Sequence, residues 1–231
     1  MILPEHKLIF IHIPKTGGVS VEDFLLRKYN LKRDISTFTH GYGQVYIHTQ
    51  NKGSTIYPLM HYPLHTLISA NPNIKIDNSW TIFAIVRNPY YKFISELFWE
   101  AKTGMCLHYH TLPDSSKKMF LNYAIDLYFN ELDAYSNYHS FHSYPQSWFF
   151  DHTDLNCQIF KFEEGLPNIM SKLGFEVTNF PHSMNIFEER LIPRPSYKEL
   201  LTSYLIETIN EKYAIDFEEF GYEMLDPLDF S

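Results

Sequence analysis

The stretch from Leu8 to Ser20 constrains this chain more than any other. Leu8-Ile9-Phe10-Ile11-His12-Ile13 is a continuous apolar run, the pattern of a parallel strand covered on both faces; a half-exposed strand would alternate. Pro14-Lys15-Thr16-Gly17-Gly18 breaks the run, and Val19 to about Tyr29 then reads as a helix with Val21, Phe24 and Leu25 at helical spacing. The order is strand, glycine-containing turn, helix. It recurs in weaker form. Trp80–Val86 is a second buried strand, ended by Arg87-Asn88-Pro89, and a helix follows over Tyr90–Lys102 with Phe93, Ile94, Leu97 and Phe98 on one face. Asn156–Phe162 is a third short strand, followed by a helix around Leu166–Leu173. Strands alternating with helices predict an α/β fold, a central parallel sheet flanked by helices on both faces.

The other segments read less sharply. Phe38–Gly53 reads as loop with a short strand at Gln44–His48, and Ser54–Leu59 as a strand leading to His61. Leu64–Ala70 is a short helix stopped by Asn71-Pro72, Ser115–Phe129 is another helix, and Pro195–Tyr213 is one long amphipathic helix. No repeat, low-complexity tract or linker divides the 231 residues, so a single domain over 1–231 is expected.

Composition narrows the partners. The chain carries 19 Lys+Arg and 27 Asp+Glu, a formal net charge of −8, which argues against a general nucleic-acid binder. It counts mildly against a dense polyanion as well. Two cysteines, Cys106 and Cys157, are too few for a disulfide framework or a structural zinc site and read as small buried hydrophobes. His108, His110, His139 and His142 lack the Cys or acidic partners of a metal site, so no metal is expected. No apolar run reaches the roughly 18–20 residues of a membrane span. Met1–His6 lacks a signal pattern, so the expectation is a soluble, cytoplasmic chain, unless a targeting segment was trimmed. Aromatics are abundant (17 Tyr, 19 Phe, 3 Trp), enough both to fill a core and to line a ligand pocket.

Chemistry concentrates where the strands end. A turn between a buried strand and a helix points several backbone N–H groups at one spot, and the helix N-terminus adds about half a unit of positive charge. Gly17 and Gly18 let that backbone approach an anion, Lys15 adds a mobile cation, and Thr16 and Ser20 add hydroxyls. The nucleoside-triphosphate loop reads G-x-x-x-x-G-K-[ST]; here Lys15 precedes the glycines, at the mouth of the turn. A second anion station follows the second strand. Arg87 stands at a strand's C-terminal end, where open α/β sheets bind ligands, and Ser95 follows about two helical turns later. A guanidinium fork plus a hydroxyl suits a phosphate monoester.

The run His12-Ile13-Pro14-Lys15-Thr16-Gly17-Gly18-Val19-Ser20 resembles the 5′-phosphosulfate loop of the family 2 type carbohydrate sulfotransferases, with Val19 where the family usually has Thr. Arg87-Asn88-Pro89 to Ser95 resembles that family's 3′-phosphate motif, with Tyr91-Lys92 in place of its usual Asp-Arg pair. His61-Tyr62-Pro63-Leu64 is similar to the family's base-bearing segment. Weaker likenesses run through Gln158–Glu163, Phe180–Asn185 and Ile215–Tyr222. The resemblance implies a P-loop-like fold. It implies transfer of a sulfuryl group from 3′-phosphoadenosine 5′-phosphosulfate to a hydroxyl, of a carbohydrate or glycoconjugate. The implied donor site is Lys15, Thr16, Gly17, Gly18, Val19, Ser20, Arg87 and Ser95, with Lys15 also stabilising the leaving group. Histidine is the natural base near neutral pH, with an unperturbed pKa of about 6.5. His61 is the first choice and His65, four residues on, the second. Two other readings stay open at this point: a P-loop small-molecule kinase using Mg·ATP, and a nucleotide-binding or interaction module that has lost catalysis.

Overall fold

The computed structural model describes residues 1–31, 47–48, 55–56, 61–69, 71–99, 109, 111–134, 142–150, 154–181 and 196–230. They cluster in two compact units, one of Met1–Val86 with Trp148–Met184, the other of Arg87–Ser147 with Asn185–Ser231. Cys106, His108, His110, His139, most of the expected loop at 38–53 and the segment 182–185 lie outside the described residues.

The first unit holds the sheet. Its strands are β1 (Ile2–Leu3), β2 (Leu8–Ile11), β5 (Thr81–Val86) and β6 (Cys157–Lys161), side by side in the order β1-β2-β5-β6. β2, β5 and β6 run parallel, with Leu8 opposite Thr81 and Ile82 opposite Cys157, whereas β1 pairs antiparallel with β2. The sheet is therefore mostly parallel. A separate two-stranded ribbon joins β3 (Ile47–His48) to β4 (Thr55–Ile56). Helices α1 (Gly18–Lys28), α2 (Leu64–Ser69) and α5 (Leu166–Lys172) complete the unit.

The continuous apolar runs are explained by burial on both sides of the pleat. Leu8, Phe10, Phe83 and Ile85 pack with Val21, Phe24 and Leu25 of α1 and with Ile169 and Met170 of α5. The alternating residues Ile9, Ile11, Ile82 and Ala84 are equally buried, so neither face of β2 or β5 meets water. Each such large side chain contributes about 1.5–3 kcal/mol by leaving solvent. Cys157 opens β6, where burial pushes its thiol up to about 12.

The second unit is helical among the described residues: α3 (Pro89–Trp99), α4 (Asp114–Ala134), α6 (Tyr197–Leu200), α7 (Ser203–Lys212) and α8 (Ala214–Phe220). Phe93, Ile94 and Leu97 of α3 pack with Leu121 and Ile125 of α4 and Leu205, Ile206 and Ile209 of α7. The expected single helix over 195–213 is instead two. Leu201 is extended (ψ 103°), and the Thr202 hydroxyl accepts from the Leu205 N–H at 3.2 Å, starting a new helix. Apolar spacing survived the break, because Leu200 and Leu205 still reach the same core. A threonine N-cap is the local signal that overrides that spacing.

Candidate functional site

In the first unit, β2 ends at Ile11 and α1 begins at Gly18, so the turn occupies the span between. Gly17 caps α1 with φ +83°, a conformation that favours glycine, and the first turn of the helix holds no acidic side chain. A Cβ at Gly17 would stand 2.9 Å from both Leu166 Cδ1 and Phe162 Cε2, so the loop is also pressed against the end of β6 and the start of α5. Lys15 is half-buried and left-handed, at φ +64°. That geometry costs a non-glycine residue roughly 1–2 kcal/mol. Val19 is exposed, and Ser20 is buried.

Thr16 is fully buried, and its hydroxyl donates to the Ile13 carbonyl at 2.9 Å. The hydroxyl shapes the turn; what the residue can offer an anion is its backbone N–H.

His12 ties this loop to the candidate base. Its ring lies where a side chain on Gly18 would be: a Cβ there would fall 2.0 Å from His12 Cδ2. Its Nδ1 pairs with Glu22 Oε1 at 2.9 Å, both residues buried. Its carbonyl accepts a hydrogen bond from His61 Nδ1 at 2.8 Å, and the two rings meet edge-on with centroids 4.5 Å apart. A carbonyl cannot donate, so His61 carries its proton on Nδ1, and the neutral ring holds its lone pair on Nε2. His61 is itself left-handed at φ +70°. His65, the second candidate, lies on α2 and meets the edge of the Trp148 ring at 6.2 Å.

In the second unit, Arg87 follows the last residue of β5 and Ser95 is buried on α3. The Arg87 Nη2 donates to the Tyr197 hydroxyl at 3.0 Å, and the guanidinium lies 5.4 Å from that ring's centroid. The Arg87 backbone is held by Gln146, whose amide is held by Asp216. Burial pushes the Asp216 carboxyl up, while N–H groups of Gln146 and Ser147 and the charge of Lys92 pull it back. The cation retained at position 92 is itself buried, with Nζ donating to the His142 carbonyl at 2.9 Å; burial pushes its pKa down against the pull of Glu96 and Asp216. His142 Nδ1 pairs with Glu96 Oε1 at 2.9 Å.

Sequence reasoning missed Glu22, Gln146 and Tyr197, and met Asp216 only as part of a closing motif. Glu22 was within reach, since it stands four residues after Gly18 on one face of α1. Gln146 and Tyr197 gave no local signal.

A buried, mostly parallel sheet with a glycine turn entering a helix at the end of its second strand defines a P-loop-like α/β protein. The chain belongs to the sulfotransferase family, whose model matches it over residues 1–223. That membership makes it a transferase of the sulfuryl-transferring kind. None of the curated proteins and none of the solved structures compared with the chain matches it. Among the described residues no helix is long and apolar enough to cross a membrane.

Proposed function

We propose that this protein moves a sulfuryl group from 3′-phosphoadenosine 5′-phosphosulfate to a hydroxyl of a carbohydrate or glycoconjugate, and that residues 1–231 serve this as one functional domain. The backbone from Lys15 through Thr16, Gly17, Gly18 and Val19 to Ser20 cradles the 5′-phosphosulfate. Arg87 and Ser95 hold the 3′-phosphate. His61 Nε2 takes the proton of the acceptor hydroxyl as its oxygen bonds to sulfur. The bond from sulfur to the bridging oxygen breaks, and the electron pair leaves on adenosine 3′,5′-bisphosphate. The Lys15 ammonium stabilises the charge growing on that oxygen, which is where fixed positive charge accelerates a reaction most.

One observation carries this reading: the hydrogen bond from His61 Nδ1 to the carbonyl of His12, the residue whose ring also packs on the first turn of α1. It joins a base of defined tautomer to the anion loop through a single residue. Two of the four left-handed non-glycine residues among those described are Lys15 and His61, and backbone strain of this kind clusters at functional sites.

The test has two arms. Titration calorimetry compares adenosine 3′,5′-bisphosphate with Mg·ATP; binding of the first and not the second supports the donor, and the reverse result favours a kinase. Transfer from labelled donor is then screened across glycan acceptors with the native chain and His61→Ala. Binding without transfer to any acceptor would leave a nucleotide-binding module instead.

A further inference from the structure

We propose that Gln146 and Asp216 are positioning residues for donor selection: they hold the Arg87 backbone so that its guanidinium meets the 3′-phosphate. The inference rests on the reading of Arg87 as the ligand of that phosphate. Where a strand ends, the next residue's N–H and C=O lose the partners a sheet would supply, and buried backbone groups must find others. At Arg87 one side chain supplies both. Gln146 Oε1 accepts from the Arg87 N–H at 2.8 Å, and Gln146 Nε2 donates to the Arg87 carbonyl at 2.8 Å.

That side chain is in turn fixed. Asp216 Oδ2 accepts from the Gln146 backbone N–H at 2.9 Å and from its Nε2 at 3.3 Å, and Asp216 Oδ1 accepts from the Ser147 N–H at 3.1 Å. Gln146 and Asp216 are both 0% exposed. The amide orientation follows from its partners: a flipped amide would set its oxygen against a carbonyl and a carboxylate. Position 146 therefore demands a group that accepts on one side and donates twice on the other, to the Arg87 carbonyl and to Asp216 Oδ2. Glutamine meets that demand; a carboxyl, which carries one proton at most, does not. With the backbone held this way and Nη2 on the Tyr197 hydroxyl, both ends of Arg87 are oriented. A guanidinium recognises phosphate through a planar fork, so its orientation sets how well it discriminates.

The test measures discrimination rather than binding alone. The full chain is titrated with adenosine 3′,5′-bisphosphate and with adenosine 5′-monophosphate, and the ratio of affinities reports the 3′-phosphate station. Arg87→Ala should remove most of the native ratio. Gln146→Glu, nearly isosteric, should lower it about tenfold or more, as expected for a misdirected charged hydrogen bond, with the monophosphate affinity unchanged. Asp216→Asn should do the same to a smaller degree. A purely structural role would weaken both nucleotides together. The proposal fails if a folded Gln146→Glu keeps the native ratio, if both affinities fall in step, or if neither variant folds. An unchanged ratio in Arg87→Ala would instead overturn the reading of Arg87 itself.

Discussion

The two proposed anion stations are built in opposite ways. The loop of the first unit is made of consecutive residues: Thr16 bonds Ile13, Gly17 caps the helix that begins at Gly18, and His12 meets Glu22 ten residues later. The Arg87 station of the second unit is made of residues far apart in the chain. Gln146 is 59 residues from Arg87, Tyr197 is 110, and Asp216 is 70 from Gln146. A site that works through backbone N–H groups can be written in one short stretch. A site that works through one side chain must borrow its supports from wherever the fold delivers them. The loop should therefore fail abruptly when a residue that sets its backbone path or carries its charge changes, and the Arg87 station should fail by degrees.

Substitutions can break or sharpen this contrast. The largest effect is expected at Lys15. Lys15→Ala should cut sulfuryl transfer about 100- to 1,000-fold with little change in thermal stability, as for loss of one transition-state charge partner. Lys15→Gly should lose the same activity yet melt slightly higher, because glycine relieves the left-handed strain. Near-native turnover by Lys15→Ala would remove the lysine from the mechanism.

Gly18→Ala comes next. Its methyl would enter the His12 ring, at a cost of about 1–3 kcal/mol by chemical denaturation, with weakened nucleotide binding. Gly174→Ala is the control, since a Cβ at Gly174 meets nothing within 4 Å and only the backbone at φ +85° is strained. Pairing Gly18→Ala with His12→Ala should recover part of the loss, and a purely additive double variant would show that the ring is not the obstacle.

Arg87→Lys should raise the donor KM about tenfold and leave kcat near native, because a flexible ammonium replaces an oriented fork. A fall in kcat with KM unchanged would move Arg87 from binding into the chemical step. The smallest effect is expected at Thr16. Thr16→Val should cost about 1 kcal/mol of stability, the hydrogen bond to Ile13, while donor affinity shifts by less than about threefold. A large loss of affinity would return the hydroxyl to the role its sequence position suggests.

This contrast also governs what could be read without coordinates. The buried strands, the glycine turn and α1 were legible, because period and turn chemistry are properties of neighbouring residues. Arg87 and Ser95 stand out in the sequence as candidates at a strand end, but Gln146 and Tyr197 do not, since nothing local distinguishes a clamping glutamine from a surface one. The bond of the Thr16 hydroxyl is not legible, because its acceptor, the Ile13 carbonyl, becomes a neighbour only once the turn closes. The break at Leu201-Thr202 was hidden for a related reason: apolar spacing continued across it, and only the cap at Thr202 marks the new start.

The imidazole of residue 12 occupying the space beside residue 18 makes those two positions a coupled pair in any redesign. A methyl at 18 calls for a smaller residue 12, and that change would remove the imidazole bond of the buried Glu22 carboxylate. Engineering this turn is thus a three-position problem, and libraries that vary 18 alone would sample mostly destabilised loops.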